Sequence, residues 1–165
     1  MGTRSVGTRW LDEGEQRVWR SFLFMSRELL DQLDSELQAA AGMPHAYYEI
    51  LVVLSEAPDR SLRMTDLAVA LHSSRSRLSH AVDRLEELGW VERSACPTDR
   101  RGTVAHLTDP GFDALAAAAP GHVEGVRTHL FDPLSDEQVR QLGEISRRIL
   151  DRLGKSDQAF PVAGS

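Results

Sequence analysis

Residues 62–108 have the sequence LRMTDLAVALHSSRSRLSHAVDRLEELGWVERSACPTDRRGTVAHLT, and this stretch decides the fold. Apolar residues at helical spacing predict a short helix over residues 64–71. Ser73 and Ser74 are two candidate N-caps for a second helix that runs to Leu88. Two helices joined by a tight turn are therefore predicted.

The second helix has two different faces. One is an apolar stripe with three- and four-residue spacing, made by Leu78, Ala81, Val82, Leu85 and Leu88. The other carries hydroxyl, Arg and His side chains: Ser74, Arg75, Ser76, Arg77, Ser79, His80 and Arg84. A face of this kind can enter a DNA major groove, because Arg contacts guanine through two hydrogen bonds. We predict base contacts by Arg77 and His80, and phosphate contacts by Arg75, Ser76 and Arg84.

A β-hairpin is predicted after Gly89, where a left-handed helix cap is expected. Its strands are residues 90–93 and 102–107, and Pro97 and Asp99 mark the turn between them. Asp99, Arg100 and Arg101 crowd the tip, which makes this hairpin a cationic wing. We predict that Arg101 enters the minor groove and that Asp99 holds it by a bidentate pair. Arg100 is predicted either to enter the minor groove as well or to contact phosphate. For Arg93, pairing with a carboxylate is an open alternative.

The order and spacing of these motifs resemble the MarR family. The resemblance rests on RMTDLA at 63–68, SRSRL at 74–78, VDRLEELGWVER at 82–93, DRR at 99–101 and LTDPG at 107–111, and it extends over residues 11–153. It implies a homodimeric winged helix-turn-helix transcription factor, often a repressor that a small ligand or an oxidant releases from DNA.

The predicted architecture is mainly α with a small β-hairpin wing. Residues 10–154 form one domain, with the winged helix-turn-helix unit at about 44–108 and flexible tails at 1–9 and 155–165. Long helices at about 10–42 and 110–154 would serve dimerisation. The helix that follows the wing is predicted to begin at Asp109 or Pro110 and to be kinked at Pro120. A capping box at 135–138 is predicted to begin the last helix.

Apolar stripes on the first and last helices favour a homodimer over a monomer whose helices fold back on one core. A two-fold dimer would place two recognition helices about 34 Å apart, which suits a pseudo-palindromic operator in double-stranded DNA.

The net charge of −6 is unusual for a DNA-binding protein, but its distribution is uneven. Residues 72–104 contain six arginines against five acidic residues, so the acidic excess lies elsewhere. The single cysteine excludes an internal disulfide. No signal peptide or long apolar run is recognisable, so we expect a cytoplasmic protein without membrane contact. No catalytic motif supports an enzyme.

The resemblance also implies a ligand cleft between the first two helices and the kinked one. Aromatic and polar side chains at those positions suit an aromatic or phenolic effector, although an aromatic stripe is also typical of a core; they are Trp19, Phe22, Ser26, His45 and Tyr48. Cys96 is expected to be an inert surface residue rather than a redox switch. The six histidines form no metal-ligand spacing, so neither metal nor cofactor is expected.

Two other functions are compatible with these patterns. One is a small-molecule-binding helical protein that does not recognise a DNA sequence. The other is an activator or architectural DNA-binding protein without an effector.

Overall fold

The computed structural model describes residues 8–96 and 99–155. The helices are α1 (Glu13–Ala41), α2 (His45–Glu56), α3 (Met64–Ala70), α4 (Arg75–Glu87), α5 (Asp109–Val126) and α6 (Asp136–Arg152). The strands are β1 (Ser61–Arg63), β2 (Val91–Cys96) and β3 (Asp99–Leu107). The predicted fold class, mainly helical with a small wing, is confirmed. The predicted tails lie almost wholly outside the described residues.

Capping residues determine where several helices begin. Asp12 and Glu15 form a reciprocal capping box at the start of α1, with hydrogen bonds of 2.8 and 3.0 Å. The predicted box of Ser135 and Gln138 at the start of α6 is confirmed. Pro44 is the N-cap residue of α2 and not its first helical residue, because its ψ of 143° is extended.

The turn between α3 and α4 contains a left-handed residue, His72, with φ of 47°. The amides of His72 and Ser73 donate to carbonyls of the last turn of α3, which closes that helix. Of the two candidate N-caps, Ser74 caps α4 by accepting from the amide of Arg77 at 3.3 Å. Gly89 has the predicted left-handed backbone, with φ of 73°.

The sheet has three antiparallel strands in the order β1, β3, β2. The first of them, β1, was not predicted; it pairs three residues with 104–106 of β3 and has no alternation of its own to reveal it. The two wing strands extend beyond their predicted ends, with a shift of register between Ala95 and Cys96. Pro97 lies outside the described residues.

The core joins α2, α3 and α4 to the inner face of the sheet. Leu51, Leu54, Leu67, Val82 and Leu85 are completely buried within it. The predicted stripe of α4 therefore faces the core, except that Leu88 at its end is half exposed.

The start of α5 is fastened to the end of α4. The Thr108 hydroxyl donates to the carbonyl of Gly89 at 2.7 Å and accepts from the amide of Gly111 at 3.1 Å. The Thr108 amide donates to the carbonyl of Trp90 at 3.1 Å. A Cβ atom on Gly111 would lie 2.1 Å from that carbonyl oxygen, so this corner requires glycine.

The helices predicted to serve dimerisation differ from the core elements in their burial. The fifth helix is continuous through Pro120, and residues 127–131 after it form an unpredicted π turn. The last helix, α6, has no buried residue. No helix among the described residues is long and apolar enough to cross a membrane.

Replacing Gly111 by alanine should lower the free energy of unfolding by about 1–3 kcal/mol or more, because the added methyl group overlaps the backbone of Trp90. Urea unfolding followed by circular dichroism measures the change. The same substitution at Gly143 is the control, since open space surrounds its Cβ position and alanine favours a helix. Equal stability of the two variants would contradict the packing argument.

Candidate nucleic-acid interface

The fourth helix exposes the face for which DNA contacts were predicted. Leu78, Val82 and Leu85 are buried beneath it. Ser74, Arg75, Ser76, Arg77, His80 and Arg84 are exposed, and Ser79 is half-buried. The Ser74 hydroxyl is used as the helix cap, so it fixes the start of α4 in addition to any contact with DNA.

A groove of about 480 Å³ separates the start of α4 from the wing. We call it the wing groove; its polar lining is Arg63, Thr65, Arg75, Ser76, Ser79, Arg93, Asp99 and Thr103. Three arginines therefore face one acidic residue in this groove.

A second depression lies on the opposite flank of α4, beside the first turn of α2. We call it the α2 hollow; its lining is Ala46, Tyr47, Arg77, His80, Ala81, Asp83, Arg84 and Glu87. The Arg84 guanidinium donates to Glu87 at 2.5 Å, and that hydrogen bond is the main reason why the pKa of Arg84 is raised. Arg84, which is predicted to contact phosphate, therefore forms an exposed ion pair within its own helix.

Arg93 joins the wing to the recognition helix. Its Nε donates to the Glu86 carboxylate at 2.7 Å, its Nη2 donates to Asp83 at 2.5 Å, and its amide donates to Glu86 at 2.9 Å. The hydrogen bond to Glu86 is the largest cause of its raised pKa. The pairing that the sequence left open is present, and it places one positive charge between two acidic residues of α4.

The wing tip is described only in part. The backbones of Arg100 and Arg101 belong to β3, and Asp99 is exposed. The side chains of the two arginines lie outside the described residues, as does the predicted pair of Asp99 with Arg101.

The expectation that Cys96 is a surface residue is wrong, since only 7% of it is exposed. The register shift after Ala95 turns Cys96 toward Gly102. A Cβ atom on Gly102 would lie 2.9 Å from Cys96 Cβ, so the missing side chain leaves the room that Cys96 uses.

The five predicted ligand residues form two separate groups within one subunit. Trp19 and Phe22 stack with ring centroids 6.4 Å apart, and the Ser26 hydroxyl donates to the carbonyl of Phe22 at 2.8 Å. His45 and Tyr48 lie elsewhere, because the His45 amide donates to Asp34 at 2.7 Å. Asp34 is about 22 Å along α1 from Trp19.

His122 of α5 lies beside the second group and was not among the residues predicted to contact a ligand. Its ring centroid lies 4.4 Å from that of Tyr48 and 5.2 Å from that of His45. Its Nδ1 is buried without a hydrogen-bond partner among the described residues. Burial, followed by the charge of His45, lowers the pKa of His122. Sequence spacing could not reveal it, since the packing of α5 on α2 brings these rings together.

The His122 ring also lines a cavity of about 120 Å³ between α1 and α5. Glu36, Leu33 and Gly121 contribute to the same cavity. No group of three His, Cys, Asp or Glu side chains in residues 8–96 and 99–155 could hold a metal ion.

Comparisons with known proteins identify the relatives of this chain. A family model described as the MarR family matches residues 41–102. The transcriptional repressor MprA of Escherichia coli K12 is 30% identical over 139 residues, which are 84% of this chain and 78% of that repressor. The chain belongs to the MarR family.

Two solved MarR-family structures from Streptomyces coelicolor agree with this assignment. One, a regulator in complex with DNA, has a TM-score of 0.83 and 53% identity, covering 87% of this chain and 94% of that one. The other, AbsC, has a TM-score of 0.83 and 42% identity, covering 88% and 98%. The chain is a DNA-binding transcriptional regulator and not an enzyme.

Replacing Arg93 by glutamine should lower the free energy of unfolding by about 1–3 kcal/mol, because two carboxylates of α4 lose their charged partner. It should also weaken DNA binding by this MarR-family protein, since these carboxylates then repel phosphate. Chemical unfolding and fluorescence anisotropy measure the two effects. Arg84→Gln is the control for stability, because its pair with Glu87 is exposed and water screens it. An equal loss of stability in both variants would contradict the assignment.

The lowered pKa of His122 predicts that stability falls with decreasing pH. The unfolded chain takes up a proton near the ordinary value of about 6.5, whereas the folded chain resists it. The contribution is therefore complete above pH 6.5 and is lost as the pH falls through the folded pKa. Glu36 titrates lower, because hydrogen bonds from Gln32 and His129 hold its pKa below the ordinary value.

Thermal unfolding midpoints between pH 7.5 and 5.5 test this expectation. The wild-type midpoint should fall over this range, and His122→Gln should fall less. His80→Gln should keep the wild-type slope, because that side chain is 82% exposed. An undiminished slope in His122→Gln would rule out His122 as the source.

Proposed function

We propose that this MarR-family protein is a homodimeric transcriptional repressor that binds a pseudo-palindromic operator and leaves it when a small aromatic or phenolic molecule binds. The observation that carries the proposal is the unburied apolar face of α6, which lies in the same chain as an exposed DNA-contacting helix. MprA of Escherichia coli and YetL of Bacillus subtilis, both relatives of this chain, are named as repressors. A cytoplasmic location follows from this role.

The homodimer is supported by the apolar residues that one subunit leaves exposed. Ile145, Ile149 and Leu153 recur on one side of α6 and are about half exposed or more. Trp19 and Phe22 of α1 are 51% and 49% exposed. Exposed apolar side chains that recur along a helix are typical of a protein interface, and a second copy of the same chain is the simplest partner.

The operator contacts follow from the two faces of α4. Arg77 and His80 would contact base edges in the major groove, and Arg75, Ser76, Ser79 and Arg84 would contact the backbone. The wing would place Arg101 in the flanking minor groove, with Asp99 and Arg100 beside it. The exposed position of these α4 side chains and the relative crystallised with DNA support this assignment.

The effector would bind near His45, Tyr48 and His122. The rings of His45 and Tyr48 lie beside the His122 ring, whose buried Nδ1 has no partner among the described residues, and a small cavity adjoins them. An aromatic or phenolic acid offers both a ring for stacking and an oxygen for that nitrogen. Trp19, Phe22 and Ser26 lie too far along α1 to join this group within one subunit, so they would reach an effector only across the dimer.

The proposal is tested with DNA from immediately upstream of the protein's own coding sequence. Sedimentation equilibrium should give the mass of a dimer, and anisotropy should show tight binding that an unrelated duplex does not displace. Salicylate and 4-hydroxybenzoate, as phenolic-acid probes, should reduce the affinity. His122→Phe should retain DNA binding and lose the response to the probes.

Two variants separate sequence recognition from charge attraction. Arg77→Ala should relax the preference at one base pair in each half-site, and Arg101→Ala should weaken operator binding at unchanged fold stability. Equal weak binding to both duplexes that collapses as salt rises would reject sequence-specific recognition. A monomer at micromolar concentration would reject the dimer.

A further inference from the structure

The α2 hollow contains a residue from outside the recognition helix beside side chains that are predicted to contact DNA. Arg77 and His80 of α4 line this depression, and Tyr47 of α2 lines it as well. Because Arg77 and His80 would contact base edges, DNA bound to α4 would cover the hollow. In helix-turn-helix proteins, elements beside the recognition helix contact the phosphate backbone. Tyr47 therefore lies where a backbone contact is expected.

Packing in the core restricts the Tyr47 side chain. Tyr47 is half-buried and packs against the core, and Ile50 and Leu51 further along α2 are buried. Residues three and four positions apart share one side of a helix, so the ring belongs to the side of α2 that packs inward. A side chain that packing already holds loses less freedom when it binds, which favours a positioning role.

The Tyr47 hydroxyl is available for a contact outside the protein. No hydrogen bond joins it to another group in the part of the chain that the structure describes. Glu87 is the main cause of the raised pKa of Arg84, and Tyr47 is a smaller cause, so the phenol lies near that guanidinium. A hydrogen-bond donor without a partner thus lies near a residue that is predicted to contact phosphate.

Charge alone does not account for DNA binding at the α2 hollow. Two arginines and two acidic residues line it, so their charges balance. Arg84 is paired with Glu87. Asp83 is paired with Arg93 of the wing. A backbone contact at this place therefore depends on hydrogen-bond donors, and a hydroxyl group can donate to a phosphate oxygen without carrying a charge.

We propose that the Tyr47 hydroxyl donates a hydrogen bond to a backbone phosphate of DNA at the α2 hollow and positions the recognition helix without selecting bases. The assignment rests on the proposed DNA contacts of α4 and adds a residue of α2 to them. Because the phenol is uncharged, its loss removes a hydrogen bond and no cation. The affinity should therefore fall while the number of counterions released on binding stays the same.

The experiment measures fluorescence anisotropy of operator and unrelated duplexes with the full-length protein, from about 50 to 200 mM salt. Tyr47→Phe removes only the hydroxyl and should lower the affinity for both duplexes by the same factor, on the order of tenfold. The slope of log affinity against log salt concentration should not change. The thermal unfolding midpoint should also stay at the wild-type value, since the hydroxyl has no partner among the described residues.

Ser55→Ala is the matched control, because it removes a hydroxyl from the same helix. That hydroxyl donates to the carbonyl of Val52 at 2.7 Å and is not part of the α2 hollow. The affinity for both duplexes and the salt slope should equal those of the wild-type protein.

Three outcomes overturn the assignment. Unchanged affinity in Tyr47→Phe would show that the hydroxyl does not contact DNA. A loss on the operator alone would make Tyr47 a base contact, and a reduced slope would mean that it acts by holding Arg84 at a phosphate. If the wild-type protein does not prefer the operator, the proposed operator recognition fails instead. An equal loss on both duplexes at an unchanged slope would then still support the phosphate contact of Tyr47.

Discussion

The ion-pair cluster around Arg93 determines how the DNA-binding surface is built. The wing is a two-stranded ribbon, and Arg93 joins it to α4 through Glu86 and Asp83. The Arg93 side chain is 27% exposed, so water screens these contacts only in part. The same contacts offset one of the two negative charges that Asp83 and Glu86 place on this flank of α4. Arg93 thus contributes to both the geometry and the charge of the surface.

A second junction connects this surface to the helices outside it. Arg60 lies over the ring of Phe112 at 4.0 Å and pairs with Asp109 at 3.2 Å. Asp59 and Arg60 both have left-handed backbone, with φ of 52° and 51°, at a cost of about 1–2 kcal/mol per residue. These contacts and the Thr108 corner attach the start of α5 at two points. The start of α5 is therefore linked directly to the turn before β1 and to the base of the wing.

Features that depend on local spacing could be predicted from the sequence. The cap at Ser74, the left-handed Gly89 and the box of Ser135 with Gln138 are each settled by residues within one helical turn. Features that depend on contacts between distant segments could not. The short strand β1 exists because β3 pairs with it, and Cys96 is buried because Gly102 leaves space across the hairpin.

The candidate ligand site shows the same contrast between features set by local spacing and features set by contacts of distant segments. The residue types of Trp19, Phe22, His45 and Tyr48 suggested one aromatic cleft, but helix length separates them into two groups. His122 joins His45 and Tyr48 across the contact of α5 with α2, at more than seventy positions along the chain. Spacing within a helix carries no information about such a contact, so the position of His122 required the tertiary structure.

The distribution of charge explains how a chain with a net charge of −6 can bind a polyanion. Exposed charges are screened over about 8–10 Å at physiological salt, and α1 alone, with 29 residues, is about 44 Å long. Acidic residues on the distant parts of α1 and α6 therefore act weakly on DNA seated against α4, whereas Arg75 and Arg77 act at contact distance. As the salt concentration falls, the distant acidic residues repel DNA over a longer range. This repulsion opposes the association of any DNA that does not contact Arg75 and Arg77. The acidic excess therefore disfavours unspecific association more than it weakens the seated complex.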